Sequence, residues 1–534
     1  MFKRSIVFSI IIAQLCVALI STAQQPNTAI DVLHYKLAIG LNDTTNVIQG
    51  EAAITLKYTQ DAKAVQLDLV QKTPDDSGML VTHVWQQQKE IGFVQDMQHV
   101  ILNADAKAGD TTTFTIQYQG IPKDGLIIAV NKHGHRTFFG DNWPNRAHNW
   151  FPCNDHLSDK ASVEWIVTAP EHYQVVANGT KTEETNLPNH QRLTRWAETA
   201  DLPTKVMVIG VADFAVQYSG SVGDIPVYSW VYPEDRDSGF ATYAMAKNIL
   251  PFFISHVGPY AYKKLANVQS KTIFGGMENA SAIFYYENSV SSPTAEGLIA
   301  HEIAHQWFGN AATEKNWQHL WLSEGFATYM ASLYHEYKYG VDSFNKRLME
   351  DRKTVIKFSK KRFTPVVDTT YGTDIMQLLN ANSYQKGGWI LHMLRRRLGD
   401  TIFWQSVRQY YAVYGGHNAD TRDLQKVFED VSHTNLTTFF NQWLYTYGQP
   451  VLNVTWKYNV SAKEITVNVE QKQEVLFTFP LEIALQQGEK QMTKTINVVD
   501  KKTTISIPVT VKPSDIILDP NVNLLYEGTV KQVK

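Results

Sequence analysis

The sequence predicts a multidomain α+β protein: an N-terminal antiparallel β domain, a mainly helical middle domain, and a small C-terminal β-sandwich. Three observations lead there. Apolar and polar residues alternate from about residue 30 to 217, and again after Gln449-Pro450, with the period of half-buried strands. Between about 218 and 449 the apolar spacing turns helical, with short loops between segments. At 534 residues the chain also exceeds what one core holds, so two to four domains are expected.

The chain opens with Lys3-Arg4, an apolar run over residues 6–20, and small residues at Ser21-Thr22-Ala23. That run falls short of the ~20 residues a membrane helix needs. It reads as a secretory signal peptide, residues 1–23, cleaved before Gln24; an uncleaved anchor is the alternative. An exported protein, periplasmic or extracellular, is expected, with no integral membrane segment in the mature chain. Removing the leader would leave Cys153 as the single cysteine, so stability would rest on the core and not on disulfides. The 49 basic and 52 acidic residues give a formal net charge of −3 and form no long single-sign run, which argues against nucleic acid as a partner.

The first domain is read as residues 24–217. Ile54, Leu56 and Tyr58 alternate with Thr55 and Lys57, and Val65, Leu67 and Leu69 repeat the pattern. Phe114 and Ile116, then Val163, Trp165 and Val167, continue it. In the middle domain, residues 218–449, helices are expected over 241–256, 378–398, 403–414 and 421–431. Residues 273–278 read as a strand whose glycines permit close backbone approach. The last domain, 450–534, alternates through Leu452, Val454 and Trp456, then Ile465, Val467 and Val469, then Ile505, Ile507 and Val509.

Within the helical part lies His301-Glu302-Ile303-Ala304-His305, with Glu324 nineteen residues after the second histidine. Ser292-Pro293 offers a helix start, Leu298, Ile299, Ile303 and Trp307 an apolar face, and Gly309-Asn310 a stop. On such a helix the two histidines share a face one turn apart, close enough to bind one Zn²⁺. Glu302 points ~100° away, off the metal but within reach of its water. Glu324 opens a second helix that ends at Gly340 and is the natural third ligand, leaving a fourth position open as in a catalytic site. One Zn²⁺ per chain is expected.

Three blocks then carry a resemblance. His301 to Asn310 with Trp321 to Ala327, Gly275-Gly276-Met277-Glu278-Asn279 upstream, and Tyr384 to Arg395 downstream resemble, in order and spacing, the M1 family of gluzincin aminopeptidases. That family includes aminopeptidase N and leukotriene A4 hydrolase. The resemblance implies a thermolysin-like catalytic domain and a compact three-domain form. It implies Glu302 as general base and Tyr384 as the donor to the oxyanion. Gly275, Gly276, Met277, Glu278 and Asn279 would line the substrate, Glu278 taking its free α-ammonium. The family often has glutamine where this chain has Asp141, and a carboxylate there is expected to share the ammonium. The expected function is an exported zinc aminopeptidase acting on peptides with a free N-terminus. A zinc endopeptidase, an epoxide hydrolase like leukotriene A4 hydrolase, and an inactive zinc-binding module are the alternatives.

Overall fold

A computed structural model describes residues 27–533, and the expected leader at 1–23 lies outside the described residues. The protein is multidomain α+β, with strands at both ends and helices in the middle. The first part is built on an eight-stranded sheet. Its order is Thr180–Leu187, Gln191–Pro203, Lys160–Pro170, Ile30–Gly40, Ile48–Tyr58, Thr111–Ile121, Gly78–Gln86 and Lys89–Glu90. Alternation places Ile54, Leu56 and Tyr58 in the core while Lys57 stays exposed, and Val163, Trp165 and Val167 are likewise buried. One pairing departs from the antiparallel pattern: Ile30–Gly40 runs parallel to Lys160–Pro170, with His34 opposite Ser162. A period of two is the same for either direction, so local patterning cannot reveal this long-range pair.

The next sheet has five strands, ordered Ala215–Val222, Ile225–Val231, Leu265–Ser270, Ala282–Tyr286 and Gly276–Met277. Its first strand straddles the division expected between 217 and 218. The strand expected over 273–278 shrinks to Gly276–Met277, at the sheet edge opposite Tyr285 and Phe284. Residues 272 and 273 bond instead to Asp141 in the first part of the chain.

The helix Ala295–His305 packs against this sheet, and Trp321–Tyr339 packs on that helix. Ala295–His305 begins after Thr294, two residues later than Ser292-Pro293 suggested, and buries Ile299 and Ile303. Gly309, with φ of +110°, turns the chain back. Trp321–Tyr339 follows and ends at Gly340 as expected. The segment 378–398 resolves into a π-helical turn, Asn382–Lys386, running into the α-helix Gly387–Leu398. A β-carbon on Gly325 would sit 2.9 Å from the Gly387 α-carbon, so the two glycines let the backbones nearly touch. That contact brings Tyr384 beside Glu324.

At the C-terminal end, Lys502–Pro508, Glu464–Gln471, Val451–Asn459 and Glu527–Gln532 form one sheet. Lys490–Val498, Phe479–Gln487 and Asp515–Leu518 form a second, and Leu452, Val454, Ile465, Leu481 and Ile483 are buried. Arg352, from the helix Val341–Ser359, donates to Asp519 Oδ2 at 2.6 Å and to the Leu524 carbonyl at 2.7 Å, tying this end to the helical part. Among the described residues no helix is long and apolar enough to cross a membrane.

Candidate active site

The helix Ala295–His305 sets His301 and His305 on one face, as their spacing requires, with Nε2 atoms 3.1 Å apart. Glu324, in the first turn of Trp321–Tyr339, brings Oε2 to 3.4 Å from His301 Nε2 and 3.3 Å from His305 Nε2. These separations match the edge of a tetrahedron around a zinc-sized ion, about 3.3 Å for ligand bonds of ~2.0–2.1 Å. His305 Nδ1 lies 3.0 Å from the Phe308 carbonyl, an acceptor only. That bond holds a proton on Nδ1 and turns Nε2 toward Glu324. Burial pulls the His305 pKa down, but Glu324, Glu278 and Glu302 raise it to about 10, and a metal ion would replace the proton on Nε2. The Ser323 hydroxyl is a second neighbour of that Nδ1, at 3.1 Å. Glu324 Oε2 is buried and, among the described residues, has no hydrogen-bond partner closer than these two imidazole nitrogens. A buried carboxylate oxygen between two imidazole nitrogens at these separations fits a divalent metal ion.

Glu302 points from the same helix into a cavity of about 370 Å³ that it shares with the triad. Its carboxylate lies against Gly276, where a β-carbon would come 2.3 Å from Oε1. Burial above all, with the charges of Glu278 and Glu324, lifts the Glu302 pKa well above the ordinary carboxylate range, against the pull of His305. A carboxylate so placed holds a proton readily, which suits a group that must take one and return it.

Glu278 follows the edge strand and also lines the cavity. It is buried, 5% exposed, and its Oε1 has no hydrogen-bond partner among the described residues. Its main chain is fixed, since its carbonyl accepts from Gln306 Nε2 at 2.9 Å and Asn310 Nδ2 at 2.6 Å. Burial raises the Glu278 pKa, His305 opposes that, and Glu324 adds to it. Tyr384, in the π-turn, lies with its ring 6.0 Å from that of His301 and nearly parallel to it, at 9°. Burial first, then the facing carboxylates of Glu324, Glu278 and Glu302, keep its hydroxyl protonated far above neutral pH.

The family profile described as "Peptidase family M1 domain" matches residues 242–443, and "Peptidase M1 N-terminal domain" matches 32–206. The chain belongs to the M1 peptidase family. Among its relatives is a "Leucyl aminopeptidase" of Saccharolobus solfataricus, 24% identical over 83% of this chain and 56% of that protein. Another is a "Tricorn protease-interacting factor F2" of Thermoplasma acidophilum, 28% identical over 75% of this chain and 51% of that one. A third is a "Glutamyl aminopeptidase" of Rattus norvegicus, 22% identical over 82% and 49%. The chain spans about half the length of these curated relatives.

Two expected substrate contacts of this M1 chain are placed elsewhere. Asp141 is fully buried and does not line the cavity. Its Oδ1 accepts from Arg146 Nη2 at 2.7 Å, and its Oδ2 from Thr272 Oγ1 at 3.0 Å and the Ile273 amide at 3.1 Å. With both oxygens taken, the expected contact to a substrate ammonium gives way to an internal ion pair. Asn279 is also fully buried and off the cavity wall, and among the described residues neither atom of its side-chain amide has a hydrogen-bond partner. Gly275, Gly276 and Met277 do line the wall. So do Trp143, Phe274, Leu298 and Leu379, which sequence reasoning missed. Leu298 and Phe274 stood beside the recognised blocks as ordinary apolar residues of a helix and a strand, and no local pattern ties Trp143 or Leu379 to them. Gln306 and Asn310, which hold the Glu278 carbonyl, were visible only as neighbours of the histidine pair in one conspicuous block.

Proposed function

We propose that this chain is a zinc aminopeptidase that removes N-terminal residues from peptides, with one ion held by His301, His305 and Glu324. The observation that carries this reading is Glu278: a buried carboxylate oxygen without a partner among the described residues, in the same cavity as His301, His305 and Glu324. A free α-ammonium would give that oxygen a charge-assisted hydrogen bond, and an internal peptide bond would not. When bound, the ion would polarise the scissile carbonyl and lower the pKa of its water to about 7.

The chain's own groups supply the rest. Glu302 accepts a proton from the attacking water and returns it to the leaving nitrogen. Tyr384, kept protonated by its surroundings, donates a hydrogen bond to the oxygen that gains charge. The sheet-edge side of Gly276–Met277 offers main-chain groups to an extended substrate, as strand addition does.

We propose the division into 24–217, 218–449 and 450–534 as the domain map, with the first boundary moved ahead of Ala215 so that the strand Ala215–Val222 stays whole. Residues 1–23 act in this reading as a leader for export, which N-terminal sequencing of the mature protein would check. The test of the activity is a panel of aminoacyl fluorogenic amides and matched free and N-acetylated peptides, assayed with and without chelator. Cleavage of free peptides that chelation abolishes and zinc restores is expected. Equal cleavage of acetylated peptides would favour an endopeptidase, and zinc binding without turnover would mean a vestigial site.

A further inference from the structure

Asp141 is a buried ion in the first part of the chain whose contacts reach the edge of the active-site sheet. Its main-chain N–H donates to the Gly125 carbonyl at 2.7 Å, which fixes it within its own loop. Its side chain then holds Thr272 and Ile273, just before the edge strand. Arg146 completes the clasp. It bonds to Asp141 Oδ1, to Asp124 Oδ1 at 2.9 Å and to the Trp143 carbonyl at 2.7 Å, and its guanidinium lies 5.9 Å from the centre of the Phe274 ring. Phe274 and Trp143 meet edge to face, with ring centres 5.7 Å apart and planes at 86°. Both rings line the cavity that holds Glu278 and the triad.

Glu278 itself does not depend on this clasp, because Gln306 and Asn310 hold its main chain from the other side. What the clasp controls is the aromatic wall. If the ammonium sits at Glu278 and the carbonyl at the metal triad, the first side chain must lie in the cavity these rings bound. We propose that Asp141 is a positioning residue that sets selectivity for apolar first side chains by locking Phe274 and Trp143 against each other. The inference rests on the aminopeptidase reading, and it makes Asp141 a determinant of which residue is removed rather than a ligand of the ammonium.

The test is Asp141→Asn, which keeps shape and one acceptor oxygen but loses the charge that Arg146 answers. Leucyl, phenylalanyl and alanyl amides are compared, alongside free and N-acetylated leucyl peptides. Loosening a hydrophobic wall is worth about one methylene to one ring of discrimination, so the leucyl-to-alanyl ratio of kcat/KM should fall roughly tenfold. The free-to-acetylated ratio should stay within about twofold, because Glu278 is untouched. A fall in that second ratio would make Asp141 an ammonium ligand and overturn the proposal. An unchanged leucyl-to-alanyl ratio in a folded variant would make the clasp mere scaffolding and overturn it too. If Asp141→Asn does not fold, Thr272→Val removes one bond of the clasp and should shift the same ratio in the same direction, by less. The two readings fail separately: wild-type cleavage of acetylated peptides at the free-peptide rate sinks the aminopeptidase reading, while the leucyl-to-alanyl comparison still reads Asp141.

Discussion

Replacing Gly276 by alanine should damage catalysis while sparing the fold. A β-carbon built on Gly276 lies 2.3 Å from Glu302 Oε1, 2.5 Å from its Cδ and 2.7 Å from its Cγ, where ordinary contact begins at 3.4 Å. The carboxylate must therefore retreat by about 1 Å, and a displacement of that size costs on the order of 10²-fold in rate. The atoms that must move are the end of a flexible side chain, and Gly276 needs no left-handed φ. Stability should accordingly change by less than about 1 kcal/mol. Gly275→Ala is the internal control, since its β-carbon would meet nothing within 4 Å. The assay is kcat and KM on a leucyl amide, with zinc content and thermal midpoint measured on the same preparations. A Gly276→Ala enzyme within threefold of wild type would refute the steric argument. Equal loss in Gly275→Ala would shift the cause from Glu302 to the strand's main chain.

Three further outcomes follow from the same geometry. Glu302→Gln leaves His301, His305 and Glu324 untouched, so zinc content should hold while kcat falls by about 10²–10⁴; a zinc-loaded variant with normal turnover would remove Glu302 as the base. Tyr384→Phe should lower kcat by about 10²–10³ with KM little changed, since its hydrogen bond strengthens only as charge develops; a change in KM alone would make Tyr384 a binding residue. Lys205 Nζ and Glu314 Oε1 pair at 2.7 Å with both side chains at most 1% exposed, and Glu314 Oε2 has no hydrogen-bond partner among the described residues. Lys205→Met should therefore cost about 3–5 kcal/mol in urea unfolding, and adding Glu314→Gln should restore most of it; a neutral single variant would show the pair to be dispensable.

The histidine pair was legible because its geometry is local. Spacing of four on a helix puts two side chains on one face wherever that helix lies, so His301 and His305 needed no tertiary information to converge. Alternation was equally local, and it marked Ile54, Leu56 and Tyr58 on one strand and Val163, Trp165 and Val167 on another as buried positions. Glu278 and Tyr384 were found through the resemblance of their blocks, not through spacing, because nothing in a lone glutamate or tyrosine distinguishes it.

Tertiary structure alone decided the rest, and for one reason: these features depend on which distant segments meet. The parallel pairing of Ile30–Gly40 with Lys160–Pro170 joins strands over a hundred residues apart. The approach of Gly276 to Glu302 turns an apparently permissive glycine into a steric requirement. Asp141 offered the right charge for an ammonium, yet Arg146, Thr272 and Ile273 occupy both its oxygens. A buried carboxylate bonds to whatever donors the fold brings to it, and only the fold specifies them.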